Sequence, residues 1–264
     1  MASPTYLYRY LLLVPGLLGV LSSGLAAADQ RPLLTLAADD WCPYNCSVAA
    51  APPGYVLELA RAIFEPLGVR VTYRRQPWAR TLQAVRNAEV SAAIGATRDE
   101  LPLAIFPAEP IGQFQGYLIQ RREADWHYHD NASLQGKRLG VINSYDYGPF
   151  NTFLDSLRGS PDLAVLSGDD AGRRALAMLV RGRLDGYVED RAVALYTARQ
   201  MGVADQVRVD APVAPPLRLY LAFSAQDPAA ARYAQLWTAG IRSMRADGRL
   251  AAILARYGVS DWAL

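Results

Sequence analysis

Trp41 and Tyr44 in the run Asp40-Trp-Cys-Pro-Tyr44, Tyr55 directly after Gly54, and Trp78 in Pro77-Trp-Ala-Arg80 place aromatic rings in short segments that read as loops. Flat rings on loops at the ends of buried strands cover ligand surface at little entropic cost, so their expected chemistry is stacking in a small-molecule site. Each ring alone could instead cap a core, and it is the clustering that favours a site. Cys42 and Cys46 are the only cysteines and lie four residues apart around Pro43. In an oxidising compartment such a pair favours a small disulfide loop. Zinc is the weaker reading, because a structural zinc site wants four ligands and the only histidines, His127 and His129, lie far along the chain. The run His127-Tyr-His129-Asp130 sets two imidazoles on one side of an extended segment without a third convincing ligand, and a solvated loop accounts for it better. No Gly-x-Ser-x-Gly nucleophile pattern and no Gly-rich phosphate loop is found, so no cofactor is implied.

The elements that must position these residues follow from periodicity. The run 33–37 is a short buried strand feeding the aromatic loop, and 55–67 carries Val56, Leu59, Ala60, Ile63 and Leu67 at helical spacing before Gly68. Residues 69–73 read as a strand, 80–88 as a helix and 90–95 as a third strand. After the joining stretch 116–122 the alternation repeats: strand 137–142, helix 150–157, strand 163–166, helix 172–181, strand 184–189 and helix 191–201. The chain returns through Pro212, Pro215 and Pro216 into the apolar run 217–224 and ends in helices 228–247 and 250–257. Strands alternating with helices at these lengths predict parallel sheets covered on both faces, in two similar α/β units.

Residues 11–28 form an apolar run after Arg9, interrupted by Pro15, Gly16, Gly19 and Ser22-Ser23-Gly24, and Ala26-Ala27-Ala28 supplies the small residues a signal peptidase needs. A secretory signal cleaved before Asp29 is expected over a permanent membrane helix, which wants about 20 solidly apolar residues. The mature chain is then an exported, periplasmic protein. Its 27 Lys and Arg against 25 Asp and Glu are scattered, which argues against a nucleic-acid partner. The 264 residues, 52% hydrophobic, suffice for one large domain or two lobes with proper cores.

The motifs resemble the extracellular solute-binding proteins of family 3, the periplasmic amino-acid-binding group with two hinged lobes. The likeness rests on Trp41 with Pro43-Tyr44 after the first strand, on Gly54-Tyr55 opening the first helix, and on Ala96-Thr97 with Phe106 nine residues after the threonine. It continues through 134–141, through 182–190, and in the ending 244–248 with Arg256-Tyr257-Gly258. The resemblance implies a two-lobed α/β fold of the type II periplasmic-binding-protein kind, with a hinge and a ligand cleft between the lobes. It implies a first lobe of 29–118 plus 222–264, a second of 119–221, a monomer, and an inner-membrane ABC-type permease as partner. By the same resemblance Trp41 lies against the ligand, Asp190 receives a ligand ammonium, and Ser144 and Tyr145 in the turn Asn143-Ser-Tyr-Asp146 are donors to it. Asp190 also suits the N-cap of the helix that follows, and both roles are compatible.

The departures from the family pattern carry equal weight. Where the family has Thr-x-x-Arg, whose Arg grips the ligand carboxylate, this chain has Thr97-Arg98-Asp99-Glu100, and the preceding hydroxyl residues are Ala92, Ala93 and Gly95. Arg98 or Arg80 is left as a substitute guanidinium. Without one, the site keeps aromatic faces and acid while losing its positive group, which favours a cationic or neutral ligand over a zwitterion, with cation–π contact to Trp41 or Trp78. An enzyme on the same fold, a dehydratase of cyclic acids or part of a peptidoglycan lyase with Glu100 as acid or base, is the alternative, together with a soluble ligand-sensing subunit.

Overall fold

The structure is a computed structural model and describes residues 1–2, 31–47 and 51–263. The expected signal segment lies outside the described residues. No helix among the described residues is long and apolar enough to cross a membrane.

The first sheet has strand order β2-β1-β3-β10-β4, built from β1 (Leu33–Ala38), β2 (Arg70–Arg75), β3 (Ala92–Ala96), β4 (Gly112–Phe114) and β10 (Leu217–Phe223). Here β1 runs parallel to both β2 and β3, pairing Leu36 with Tyr73 and with Ala92, while β10 is antiparallel to β3 and β4. The second sheet repeats the arrangement as β7-β6-β8-β5-β9, from β5 (Gly116–Arg121), β6 (Leu139–Ile142), β7 (Leu163–Leu166), β8 (Gly186–Asp190) and β9 (Val207–Pro212). The chain leaves the first sheet at Gln115 and returns to it after residues 213–216. The stretch expected as a joint is therefore strand β5, an antiparallel member of the second sheet, and β9 was not legible because its apolar residues are only Val207, Val209 and Ala211 before Pro212.

Helices α1 (Tyr55–Phe64), α6 (Ala230–Ala246) and α7 (Arg249–Arg256) cover the first sheet with fully buried apolar faces that include Phe64, Trp237 and Leu250. Gly240 lets α6 approach α1, since a Cβ there would stand 2.6 Å from Ile63. Helix α2 (Trp78–Arg86) starts two residues before the sequence expectation. Pro77 takes the capping position with φ −54°, and the helix begins directly after it, so Trp78 sits in the first turn and not in a loop. In the second lobe α3 (Asn151–Ser156), α4 (Ala171–Val180) and α5 (Arg191–Gln200) follow their strands in the order expected from the sequence.

Candidate functional site

Residues that leave the carboxyl ends of β1, β3, β6 and β8 meet between the two sheets, where open α/β sheets place their ligands. A cavity of about 30 Å³ lies there, well below the roughly 300–1,000 Å³ of small-molecule pockets, so the lobes must part to admit a ligand. Its rings are Trp41, Trp78, Phe114 and Tyr145, and its carboxylates are Asp39, Glu100 and Asp146. No Lys or Arg is among the described residues that line it.

The carboxylates are strongly held. Glu100 Oε1 accepts from Trp78 Nε1 at 2.8 Å, and its Oε2 accepts from the Thr97 backbone N–H at 2.8 Å. The Thr97 hydroxyl lies 3.1 Å from that same Oε2 and 2.9 Å from Asp146 Oδ2. One hydroxyl carries one proton, so Thr97 satisfies one of the two acids at a time and leaves the other oxygen open to an incoming donor. The other oxygen of Asp146 accepts from Gly148 N–H and the Asn151 amide, each at 2.8 Å. Asp39 Oδ2 accepts from the Tyr145 hydroxyl at 2.8 Å. Burial, which opposes charge, pushes the carboxyls of Asp39 and Glu100 up to about 7 against the lowering pull of these hydrogen bonds. The cavity thus holds carboxyls that gain from a positive partner.

Several of these contacts join the lobes. Trp41 Nε1 donates to Glu189 Oε1 at 3.0 Å, Tyr145 reaches Asp39, Thr97 reaches Asp146, and the Arg75 guanidinium pairs with Asp40 at 3.3 Å and with Asp169 at 2.6 Å. Trp78 meets Tyr145 edge to face at 6.0 Å across the same gap. Trp41 and Tyr145 also wall a second, larger cavity of about 260 Å³, lined by the disulfide and by Asp40, Asp169, Arg173 and Glu189.

Of the residues expected from the sequence, Trp41, Trp78, Thr97 and Tyr145 are brought together. Tyr44 lies beneath Trp41, stacked at 4.0 Å, with its hydroxyl donating to the Gln113 carbonyl at 2.8 Å. Tyr55 is fully buried and donates to the Ile111 carbonyl at 2.9 Å, which makes it a core residue supporting Tyr44. Arg80 is exposed on α2, and Arg98 is held outside the cavity between the faces of Phe106 and Tyr220, 4.8 and 4.9 Å from the ring centres. Neither arginine replaces the missing clamp in this structure. Ser144 is exposed with φ +66° and lies on the far side of the turn. His127 sits 3.2 Å from Asp210 at the surface, and no group of three metal-ligating side chains is found among the described residues.

Asp190 caps α5: its Oδ1 accepts from Ala192 N–H at 2.8 Å and Val193 N–H at 3.2 Å, and its carboxyl also interacts with the Gln115 backbone N–H and the Tyr44 hydroxyl. Burial raises its carboxyl to about 6, opposed by those backbone donors. We expect Asp190→Ala to cost about 1 kcal/mol of stability through the lost cap, with ligand affinity changed by less than about threefold. A melting curve and a binding titration check both, and a large loss of affinity with unchanged melting would give Asp190 back its ligand role. Sequence reasoning passed over Asp39, Asp146 and Glu189. Strand alternation offered a signal for the last, since Tyr187 and Glu189 share one face of β8 and Val188 and Asp190 the other.

The Trp41 loop is stapled by the Cys42–Cys46 disulfide, Cα to Cα 4.5 Å, and by the Trp41–Asn45 backbone pair. Gly54, at φ +106°, packs so tightly on this loop that a Cβ would lie 2.6 Å from the Tyr44 carbonyl oxygen. Replacing both cysteines by Ser is expected to cost up to about 2 kcal/mol for so small a loop and to weaken ligand binding several-fold as Trp41 loses its support. Melting and titration of the double variant test this, and unchanged affinity would show that Gly54 and Asn45 hold the loop alone.

A model of the bacterial extracellular solute-binding proteins, family 3, matches residues 34–260. No curated protein matches the chain. Among solved structures, a histidine kinase sensor domain with similarity to periplasmic binding proteins is 20% identical with TM-score 0.72, covering 86% of this chain and 96% of its own. A substrate-binding protein of an ABC uptake transporter from Streptococcus pneumoniae, solved with bound histidine, is 18% identical with TM-score 0.72, covering 87% and 94%. An ancestral arginine-binding protein bound to arginine is 18% identical with TM-score 0.68, covering 86% and 98%. At these identities the solved structures show a shared fold.

Proposed function

The chain belongs to the bacterial extracellular solute-binding proteins, family 3, and from that membership we propose that its cleft captures a small organic cation, an amine or guanidinium compound, for an ABC-type permease. The family is one of solute-binding proteins, and the enzyme reading is not retained. The observation that carries the ligand class is the cavity in which Asp39, Glu100 and Asp146 face aromatic rings without a lining Lys or Arg. A cation there gains charge-assisted hydrogen bonds and a cation–π contact, whereas a ligand carboxylate meets like charge. Ligands touching both lobes favour the closed form by their differential affinity, and the permease reads that form. For the moving lobes we take the passages at Gln115 and 213–216 in place of 118/119 and 221/222, because β5 and β10 each belong wholly to one sheet. Removal of 1–28 and residence of a monomer in the periplasm complete the proposal.

The test is a calorimetric titration of residues 29–264 with arginine, agmatine, putrescine, choline, glutamine and glutamate. Micromolar binding confined to the cations is expected. Binding of glutamate or glutamine above the cations would overturn the ligand class. Uptake of the bound cation by cells lacking the gene then separates the roles: lost uptake supports delivery to a permease, and unchanged uptake points to sensing.

A further inference from the structure

We propose that Glu189 is a positioning residue that fastens the two lobes through Trp41, holding the indole as the partition between the two cavities and retaining whatever cation lies behind it. The retention part rests on the proposed cation site; the fastening does not. Glu189 lies on β8 of the second sheet and Trp41 in the loop that follows β1 of the first, and they are 2% and 7% exposed. Glu189 Oε1 accepts from Trp41 Nε1 at 3.0 Å and from the Asp190 backbone N–H at 2.7 Å, while its Oε2 accepts from the Tyr187 hydroxyl at 2.5 Å. Three donors thus fix the carboxyl in one orientation. Trp41 in turn is backed by Tyr44 and lines both cavities, so the bond to Glu189 sets where the partition stands. When the second lobe moves away, this bond is among those that must break, and the indole is left held from one side only.

The bond is also coupled to protons. Burial pushes the Glu189 carboxyl up to about 7, opposed by its bonds to Tyr187, Trp41 and Asp190. The other titratable groups that interact with it or with its partner Tyr187 are Tyr44, Tyr145, Tyr147, Asp190 and Asp39, while Asp40, Asp169, Asp170 and Arg173 line the cavity that Glu189 shares, Arg173 being the cation among them. In the parted, hydrated form a glutamate titrates at its ordinary value near 4.3. The closed form therefore binds the proton more tightly, so the fastening is fully present at low pH and weakens as pH rises through about 7.

The test needs no ligand. In ligand-free residues 29–264 carrying 5-fluorotryptophan, the Trp41 fluorine resonance, assigned by its loss in Trp41→Phe, is expected to report one buried state at pH 6. A solvent-exposed population should grow as pH rises to about 7 and level off above it. Glu189→Ala should show that exposed population at every pH, and Tyr187→Phe an intermediate one. Glu189→Gln keeps the acceptor for Trp41 and should hold more of the buried state, with a smaller step near pH 7, since Asp39 and Glu100 still titrate there. A Glu189→Gln chain that titrates like the native one, or a Trp41 resonance indifferent to Glu189→Ala in a folded chain, would overturn the proposal. If Glu189→Ala fails to fold, the Gln variant and Tyr187→Phe still decide it. Agmatine is the probe for retention, and its dissociation at pH 6 should be about tenfold faster from Tyr187→Phe or Glu189→Ala than from the native chain. Unaltered agmatine dissociation would restrict Glu189 to fastening and sink the retention claim. Failure of the native chain to bind any cation would count against the cation site, with the fluorine spectra still judging Glu189.

Discussion

Glu100→Arg is expected to weaken binding of a cationic ligand by at least about 100-fold, and Glu100→Gln by about 10- to 100-fold. The carboxylate stands at the end of the first sheet with Trp78, Thr97 and Asp146 around it, in the position where the family resemblance expects an arginine. Removing its charge leaves the cation with Asp39 and Asp146 and forfeits a charge-assisted hydrogen bond, an effect of about 1.5–3 kcal/mol. Reversing the charge places a guanidinium where the ligand's positive group would sit, and an unpaired charge of that kind in a buried site costs about 3–5 kcal/mol. The same guanidinium offers a planar fork for a carboxylate, so Glu100→Arg should gain measurable affinity for glutamine or glutamate. Calorimetric titration of both variants against the cation and the two amino acids checks this. Retained cation affinity in Glu100→Gln would show that the acid nearest Trp78 does not contact the ligand. Glu100→Gln keeps the Trp78 acceptor and guards against a folding defect in the reversal.

The second large effect is on stability. Without ligand, the protein is expected to be more stable at pH 5.5 than at pH 8, by roughly 3–5 kcal/mol, or about 10 °C in Tm for a chain of this size. Asp39, Glu100 and Glu189 are pushed up to about 7 and Asp190 to about 6, each chiefly by burial. In the unfolded chain these groups titrate near 4. Below that pH both states are protonated and the four carboxyls impose no penalty. Between about 4 and 7 the unfolded chain ionises first, and the folded state loses ground until its own carboxyls ionise. Three shifts of this size would sum to more, but parting of the lobes hydrates the acids and caps the loss. Glu109 and Asp261, held below the ordinary range by hydrogen bonds and ion pairs with Arg242 and Arg245, act in the opposite sense only at lower pH. Scanning calorimetry from pH 5 to 8.5 tests this, and Glu100→Gln should flatten the slope. A Tm that is flat or rises over that range would mean that the acids are hydrated in the folded protein. Saturating cation should also flatten the slope, because the ligand binds and stabilises the ionised site.

Taken together, the acid cavity and the proton-linked partition make opposite demands on pH. Ionisation of Asp39 and Glu100 favours the cation, whereas ionisation of Glu189 loosens the lobes. Affinity for a cation should therefore pass through a maximum near neutral pH in the native chain and keep rising toward pH 8 in Glu189→Gln.

Periodicity, cysteine spacing and the missing arginine were legible in the chain itself. Apart from β4, β5 and β9, strand and helix order could be read because buried strands and amphipathic helices leave local patterns with fixed periods, and the disulfide because its two halves lie in one turn. Glu100, where the family resemblance expects an arginine, could be read because it is one residue at one spacing after Thr97. The tertiary structure alone decided which rings and acids share the cavity. Tyr55 and Trp41 carry the same local signature, yet one faces a core and the other the cleft, since the difference lies in what packs from residues 56 and 148 positions away. Likewise Asp190 and Glu189 are neighbours in sequence, and only the register of β8 against β5 and the helix that follows turns one into a cap and the other toward Trp41. Contacts between side chains on separate sheets leave no period in the sequence, because each chain segment supplies only half of the bond.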